Sequence, residues 1–189
     1  MTQITPCRGS LFLVAILAVA PAVATAQTFG GDEYMLMAKH SGKCLDVAWN
    51  AMNDGGDVVQ SLCTGTDNQR WRAYWGSISS PTILVAKHSS KALDVLNQSF
   101  AHAADVVQWA YGGFRGTTVR TSQWWRPIYM TTVYGIPFFI LVNENSGHCL
   151  DVAWSSQGDG GNVLQAECTG TDNQLWAIYR TKTQTFGGF

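Results

Sequence analysis

The sequence predicts an all-β protein built from one four-stranded unit written three times, and three observations carry that prediction. A Gln-any-Trp word recurs as Gln69-Arg70-Trp71, Gln123-Trp124-Trp125 and Gln174-Leu175-Trp176. Upstream of each stands Leu45-Asp46-Val47, Leu93-Asp94-Val95 or Leu150-Asp151-Val152, followed fourteen positions after the Asp by Gln60, Gln108 or Gln165. Between these words the apolar residues fall in short runs bounded by Gly, Asn, Asp and Ser, which is strand-and-turn chemistry and supports no long helix. A long unit in only three copies leaves few architectures open.

Taken in order, residues 1–26 read as an export signal: Arg8 precedes an apolar run from Leu11 to Val19, and Ala24-Thr25-Ala26 offers small residues for cleavage. The run is shorter than the ~18 apolar residues a spanning helix needs, and no other stretch approaches that length. The expectation is one exported domain over 27–189, secreted or extracytoplasmic, with repeats at about 33–77, 82–130 and 138–180. In the first copy the runs Tyr34 to Ala38, Cys44 to Ala48, Val58 to Leu62 and Trp71 to Trp75 predict four strands. Turns fall at Ser41-Gly42, Asn53-Asp54-Gly55-Gly56 and Thr64-Gly65-Thr66-Asp67-Asn68. The third copy, Ser146 to Tyr179, lies over Ser41 to Tyr74 without a gap. The middle copy keeps Leu93-Asp94-Val95, Gln108, Gln123 and Trp125, but it lacks the cysteines and holds about six extra residues around Gly112 to Gly116. The pentapeptide Gln27-Thr28-Phe29-Gly30-Gly31 recurs at Gln184 to Gly188.

Beyond Cys7 in the signal, the cysteines are Cys44 and Cys63, then Cys149 and Cys168, with the same separation of nineteen in both copies. Export permits disulfides, and the matched spacing favours Cys44 with Cys63 and Cys149 with Cys168 over the other pairings. No CxxC pair or histidine pattern of metal-site spacing accompanies them, so no metal is expected. A formal charge of −1 with interspersed acids and bases lacks the basic stripe of a nucleic-acid binder. Eight tryptophans in a chain with 13% charged residues point to recognition by shape and ring contact.

Three copies are too few to close a propeller, which needs about four blades. The three QxW endings, the CLDV openings and the order DGG…VxQ…C…DNQxW resemble the ricin B chain type lectin domain, over roughly residues 33–180. The resemblance implies a β-trefoil of three four-stranded repeats with threefold pseudosymmetry. It places Leu45, Leu93, Leu150, Val47, Val95, Val152 and the tryptophans Trp71, Trp125 and Trp176 in a shared core.

A sugar is recognised by hydrogen-bonding forks aimed at its hydroxyls and by an aromatic face against its apolar side. By resemblance, the first copy would use Asp46 as main acceptor, Asn68 as second fork and Gln60 as flanking support; the third would use Asp151, Asn173 and Gln165. Gln69 and Gln174, each before a core Trp, are expected to bond to backbone. The middle copy keeps Asp94 and Gln108, with Trp109 and Tyr111 after them, but Ser122 stands where Asn is expected, so a weaker site is anticipated there. The family's usual ring after VxQ is missing from the first and third copies. Trp49 and Trp154, three residues past each Asp, are the substitutes, either stacking on sugar or packing under the adjacent loop.

No recurring His, Ser and Asp set, no carboxylate pair for glycoside hydrolysis and no phosphate loop is visible. The reading is therefore a secreted, non-catalytic lectin for galactose-type or related glycans, with no cofactor, no nucleic-acid partner and no membrane span. The alternatives are a targeting subunit of a secreted toxin or enzyme complex, and a hydrolase inhibitor acting through loop 112–121.

Overall fold

The computed structural model describes residues 32–75, 81–111 and 120–181. The expected export signal, both Gln-Thr-Phe-Gly-Gly segments and most of the lengthened middle loop lie outside the described residues.

The first repeat folds as β1 (Glu33–Ala38), β2 (Cys44–Val47), β3 (Gly56–Ser61) and β4 (Trp71–Trp75). The second is β5 (Thr82–Ala86), β6 (Lys91–Val95), β7 (Ala104–Ala110) and β8 (Trp125–Val133). The third is β9 (Ile136–Asn143), β10 (Cys149–Val152), β11 (Gly161–Ala166) and β12 (Trp176–Arg180). Each repeat also carries two single turns of 3-10 helix, one after its second strand and one before its fourth.

Antiparallel pairing runs β1–β4, β4–β5, β5–β8, β8–β9, β9–β12 and β12–β1, so the outer strands of the repeats close a six-stranded barrel. The inner strands form three hairpins, β2–β3, β6–β7 and β10–β11. These hairpins meet through β3–β7, β7–β11 and β11–β3 contacts as a triangular cap. Closure matters because a barrel leaves no unpaired edge for another chain to extend. The result is a β-trefoil.

The core follows the repeat. Leu36, Leu84 and Leu141, with the Leu and Val of each Leu-Asp-Val and the tryptophans Trp71, Trp125 and Trp176, form one buried cluster. A buried indole N–H needs an acceptor, and the same one serves in each repeat. Trp71 Nε1 donates to the Leu45 carbonyl (3.2 Å), Trp125 to Leu93 (3.1 Å) and Trp176 to Leu150 (3.1 Å).

Both expected disulfides, Cys44–Cys63 and Cys149–Cys168, are present. In the middle repeat Ala92 and Tyr111 take the matching positions, and ring packing replaces the covalent tie. Tyr111 stacks on Tyr74 with centroids 5.9 Å apart, beside Ile83, Val85 and Ala92.

The threefold symmetry breaks at the β8–β9 hairpin, whose strands of nine and eight residues exceed the five and six of their counterparts. Its two-residue turn, Tyr134-Gly135, has φ of 49° and 80°. Left-handed φ at both positions is the I′ geometry whose twist suits a tight hairpin.

Candidate functional site

Each Leu-Asp-Val word lies on a hairpin strand of the cap, with Leu and Val turned into the core. The intervening Asp turns to the other face, because successive side chains on a strand alternate. Asp46 and Asp151 are each only 7% exposed. Two amides of the same repeat bracket each carboxylate. Asn68 Nδ2 donates to Asp46 Oδ1 and Gln69 Nε2 to Oδ2, both at 2.7 Å. In the third repeat Asn173 and Gln174 make the same bonds to Asp151, at 2.9 and 2.8 Å. The amides are themselves fixed. Asn68 Nδ2 also donates to the Val47 carbonyl, and Gln69 Nε2 to that of Leu62, while Gln69 Oε1 accepts from the Thr64 and Gly65 N–H groups. Gln69 and Gln174 therefore bond to backbone as expected. The sequence reading missed that they also hold the carboxylate; the unvarying step from Gln to the buried Trp was the signal available.

Burial pushes the Asp46 and Asp151 carboxyls above the ordinary aspartate range, and the bonds from Gln69 and Asn68, or Gln174 and Asn173, pull them partway back. Desolvation disfavours the charged form, whereas donors aimed at it favour it.

Asp46 opens into a cleft of about 620 Å³ that also takes in Trp49, Asn50, Asp57 and Asn68 of the first repeat and Asp159, Gly160 and Asn162 of the third. Asp159 is held by Lys43 Nζ (2.6 Å) and the Leu62 N–H (2.9 Å), and its carboxyl is lowered chiefly by the Lys43 bond. Asn162 Nδ2 donates to Asp105 Oδ1 at 2.9 Å, tying the third repeat to the second.

Trp49 and Trp154 are 98% and 99% exposed, so neither packs under its loop. Their backbones are left-handed, with φ of 58° and 57°. A bulky side chain there costs about 1–2 kcal/mol, and neither ring recovers it by burial. Asn97 has the same conformation in the middle repeat, at φ 56°, with a residue that tolerates it.

Gln60, Gln108 and Gln165 are not brought to a cleft. All three are fully buried and stitch the repeats together in a ring. Gln60 Nε2 donates to the carbonyls of Ser156 and Gly158, Gln108 to those of Ala51 and Asn53, and Gln165 to those of Ser99 and Ala101. Each Oε1 accepts from a serine of its own repeat, Ser41, Ser89 or Ser146, at 2.6–2.7 Å. With both ends of the amide committed between backbone and hydroxyl, these residues offer a ligand nothing. Small residues admit the ring: a Cβ on Gly56 would sit 2.9 Å from Gln108 Nε2.

The middle repeat is arranged differently. Asp94 is 1% exposed, and its Oδ2 accepts from Gln123 Nε2 (2.9 Å) and Arg120 (3.1 Å). The Arg120 guanidinium lies over the Trp109 ring, 5.0 Å from its centroid. Tyr111 belongs to the apolar cluster with Tyr74. Among the described residues no group of three or more His, Cys, Asp or Glu is placed to hold a metal, and no helix is long and apolar enough to cross a membrane.

The threefold barrel with its triangular cap is a β-trefoil, and two of its repeats carry a bracketed carboxylate with an exposed indole three residues on. The chain belongs to the ricin-type β-trefoil lectin domain-like family, which matches residues 24–109 and 121–187. Among solved structures it is similar to ThreeFoil, a designed 3-fold symmetric protein, at 41% identity and a TM-score of 0.68, over 77% of this chain and 96% of that one. It is also similar to 1,3Gal43A, an exo-β-1,3-galactanase from Clostridium thermocellum, at 26% identity and 0.67. That match covers 79% of this chain but 30% of the galactanase. The Macrolepiota procera ricin B-like lectin, solved with lactose, shares the fold at 15% identity and 0.63, over 79% of this chain and 96% of its own. No curated protein matches the chain.

Proposed function

We propose that this protein is a secreted, non-catalytic lectin with two working sites, in its first and third repeats, for galactose-type sugars. One observation carries the reading. Trp49 and Trp154 stand exposed on strained backbone beside a bracketed carboxylate in both sister repeats, an expense that folding does not recover and that a stacked ligand would.

In this reading Asp46 and Asp151 accept hydrogen bonds from vicinal hydroxyls. Asn68 and Asn173 fix the carboxylates, and the indoles cover the apolar face of the ring. Because the carboxylates are pre-aimed by fixed amides, little side-chain freedom is lost on binding. Galactose-type sugars are assigned by analogy with the lactose-bound family member. Sites this shallow bind weakly one at a time and gain avidity where both engage together. The non-catalytic reading is supported by the roles of Asn68 and Gln69, whose amide nitrogens are spent in bracketing Asp46.

A glycan array with wild type, Asp46→Ala/Asp151→Ala and Trp49→Ala/Trp154→Ala tests the proposal. Galactose-terminated glycans should retain wild type and release both double variants. Equal retention of all three proteins would refute it.

A further inference from the structure

We propose that Arg120 is the resident occupant of the middle repeat's site, and that this side chain, not loss of the pocket, keeps that site silent. The inference rests on the sugar-binding reading of the sister repeats.

The middle repeat holds both halves of a site. The acceptor half is Asp94, bracketed by Gln123 as Asp46 is by Gln69. The platform half is Trp109, directly after Gln108. One side chain covers both. Arg120 donates to Asp94 Oδ2 while its Cζ lies over the Trp109 ring, 5.0 Å from the centroid. A stacked cation bonded to a carboxylate uses the same two surfaces as a sugar whose apolar face stacks while its hydroxyls donate.

The surroundings leave the Asp94 carboxylate only half served. Among the described residues, Asp94 Oδ1 and Ser122 Oγ are both buried without a hydrogen-bond partner. In the sister repeats the missing partner is supplied by Asn68 or Asn173, whose Nδ2 donates to the corresponding Oδ1. Ser122 is too short to do so. The Asp is thus half-bracketed, and Arg120 serves only its other oxygen. A buried carboxylate without a full set of donors is costly, so the cation stabilises the fold where an amide has been lost. Arg120 and the lost Asn are one coupled change, and restoring the amide makes the arginine dispensable.

Isothermal titration with lactose, on the full chain, tests this. Wild type and Ser122→Asn should each bind two equivalents, because Arg120 remains in place. Arg120→Ala/Ser122→Asn should bind three, and adding Trp109→Ala should return the count to two. Thermal melting establishes that each variant is folded, the restored amide offsetting the lost cation. A folded Arg120→Ala/Ser122→Asn protein that stays at two, or a wild type or Ser122→Asn protein that already binds three, would overturn the proposal. If lactose binds nowhere on wild type, the sugar-binding reading fails, and nitrogen-detected NMR of the guanidinium decides the remainder. Resident stacking requires slowed rotation and an upfield ring-current shift that Trp109→Ala abolishes; a freely rotating, unshifted Arg120 sinks it.

Discussion

Gln69 Nε2 stands 2.7 Å from Asp46 Oδ2, and Gln174 Nε2 stands 2.8 Å from Asp151 Oδ2. The glutamine of the QxW word therefore links the core to the face that carries the carboxylate. Two residues on, the tryptophan is buried; at the glutamine itself, the amide reaches back across the loop to aim the acid.

Replacing Gln69 should separate these tasks. Gln69→Ala leaves the Thr64 and Gly65 N–H groups and the Leu62 carbonyl without their partner, at a cost of about 1–3 kcal/mol. It also frees Asp46 to rotate, so sugar affinity at the first site should fall about tenfold while the third site is unaffected. Titration of Gln69→Ala in an Asp151→Ala background, with a melting curve, measures both. Unchanged affinity would show that the bracket is dispensable.

The exposed tryptophans should behave opposite to the buried ones. Trp49→Asn, which copies the middle repeat, removes about 1 kcal/mol of left-handed strain and loses no packing. The melting temperature should hold or rise slightly while ligand-induced fluorescence at that site disappears. Trp71→Ala should cost about 3–5 kcal/mol. Equal melting losses for the two variants would contradict the placement of Trp49.

Acid should weaken binding earlier than an ordinary aspartate predicts. The free-protein carboxyls of Asp46 and Asp151 are raised from 3.8 by burial, and hydroxyl donors favour the charged form. Sugar binding then releases protons, and affinity falls as pH drops through the raised value. The stability sign is the reverse of the usual carboxylate case. The folded state holds these protons more tightly than the unfolded chain, so the two groups' contribution declines as pH rises from 3.8 to the raised value. Titrations in buffers of different ionisation enthalpy should report proton release as pH falls toward the raised carboxyl range. Proton uptake would invert the sign.

Each disulfide joins cysteines nineteen positions apart, a closure worth about 3 kcal/mol in the chain-entropy model. Cys44→Ala/Cys63→Ala and Cys149→Ala/Cys168→Ala should each lose about that much in denaturant melts. Their effects should add, because the bridges share no partner.

Much of this was legible in the sequence because repetition cancels ambiguity. A single apolar run such as Val58 to Leu62 does not specify a strand, but its recurrence with the same turns fixed the strands, the core and both cysteine pairs. Placement of polar side chains was less legible. Gln60 reads as flanking support for a ligand, yet strand alternation does not reveal whether a neighbouring repeat presents carbonyls to it. Trp49 could be read as packing, since nothing local announces the left-handed turn that lifts it into solvent. Arg120 was missed because it lies where the middle copy has drifted, and its role depends on two positions, Trp109 and Ser122, that meet only in space. The long β8–β9 hairpin was missed because its turn falls between the expected repeat boundaries.

The glutamine ring has no first member. Each amide grips the preceding lobe, the last grips the second, and the first grips the last, while Thr181 N–H donates to the Glu33 carbonyl where the described chain meets itself at 2.8 Å. Such a closed circuit is indifferent to where translation starts. Joining the ends and opening the polypeptide between two lobes should yield the same object, whereas a single lobe severed from its fellows leaves its glutamine N–H groups without their carbonyls.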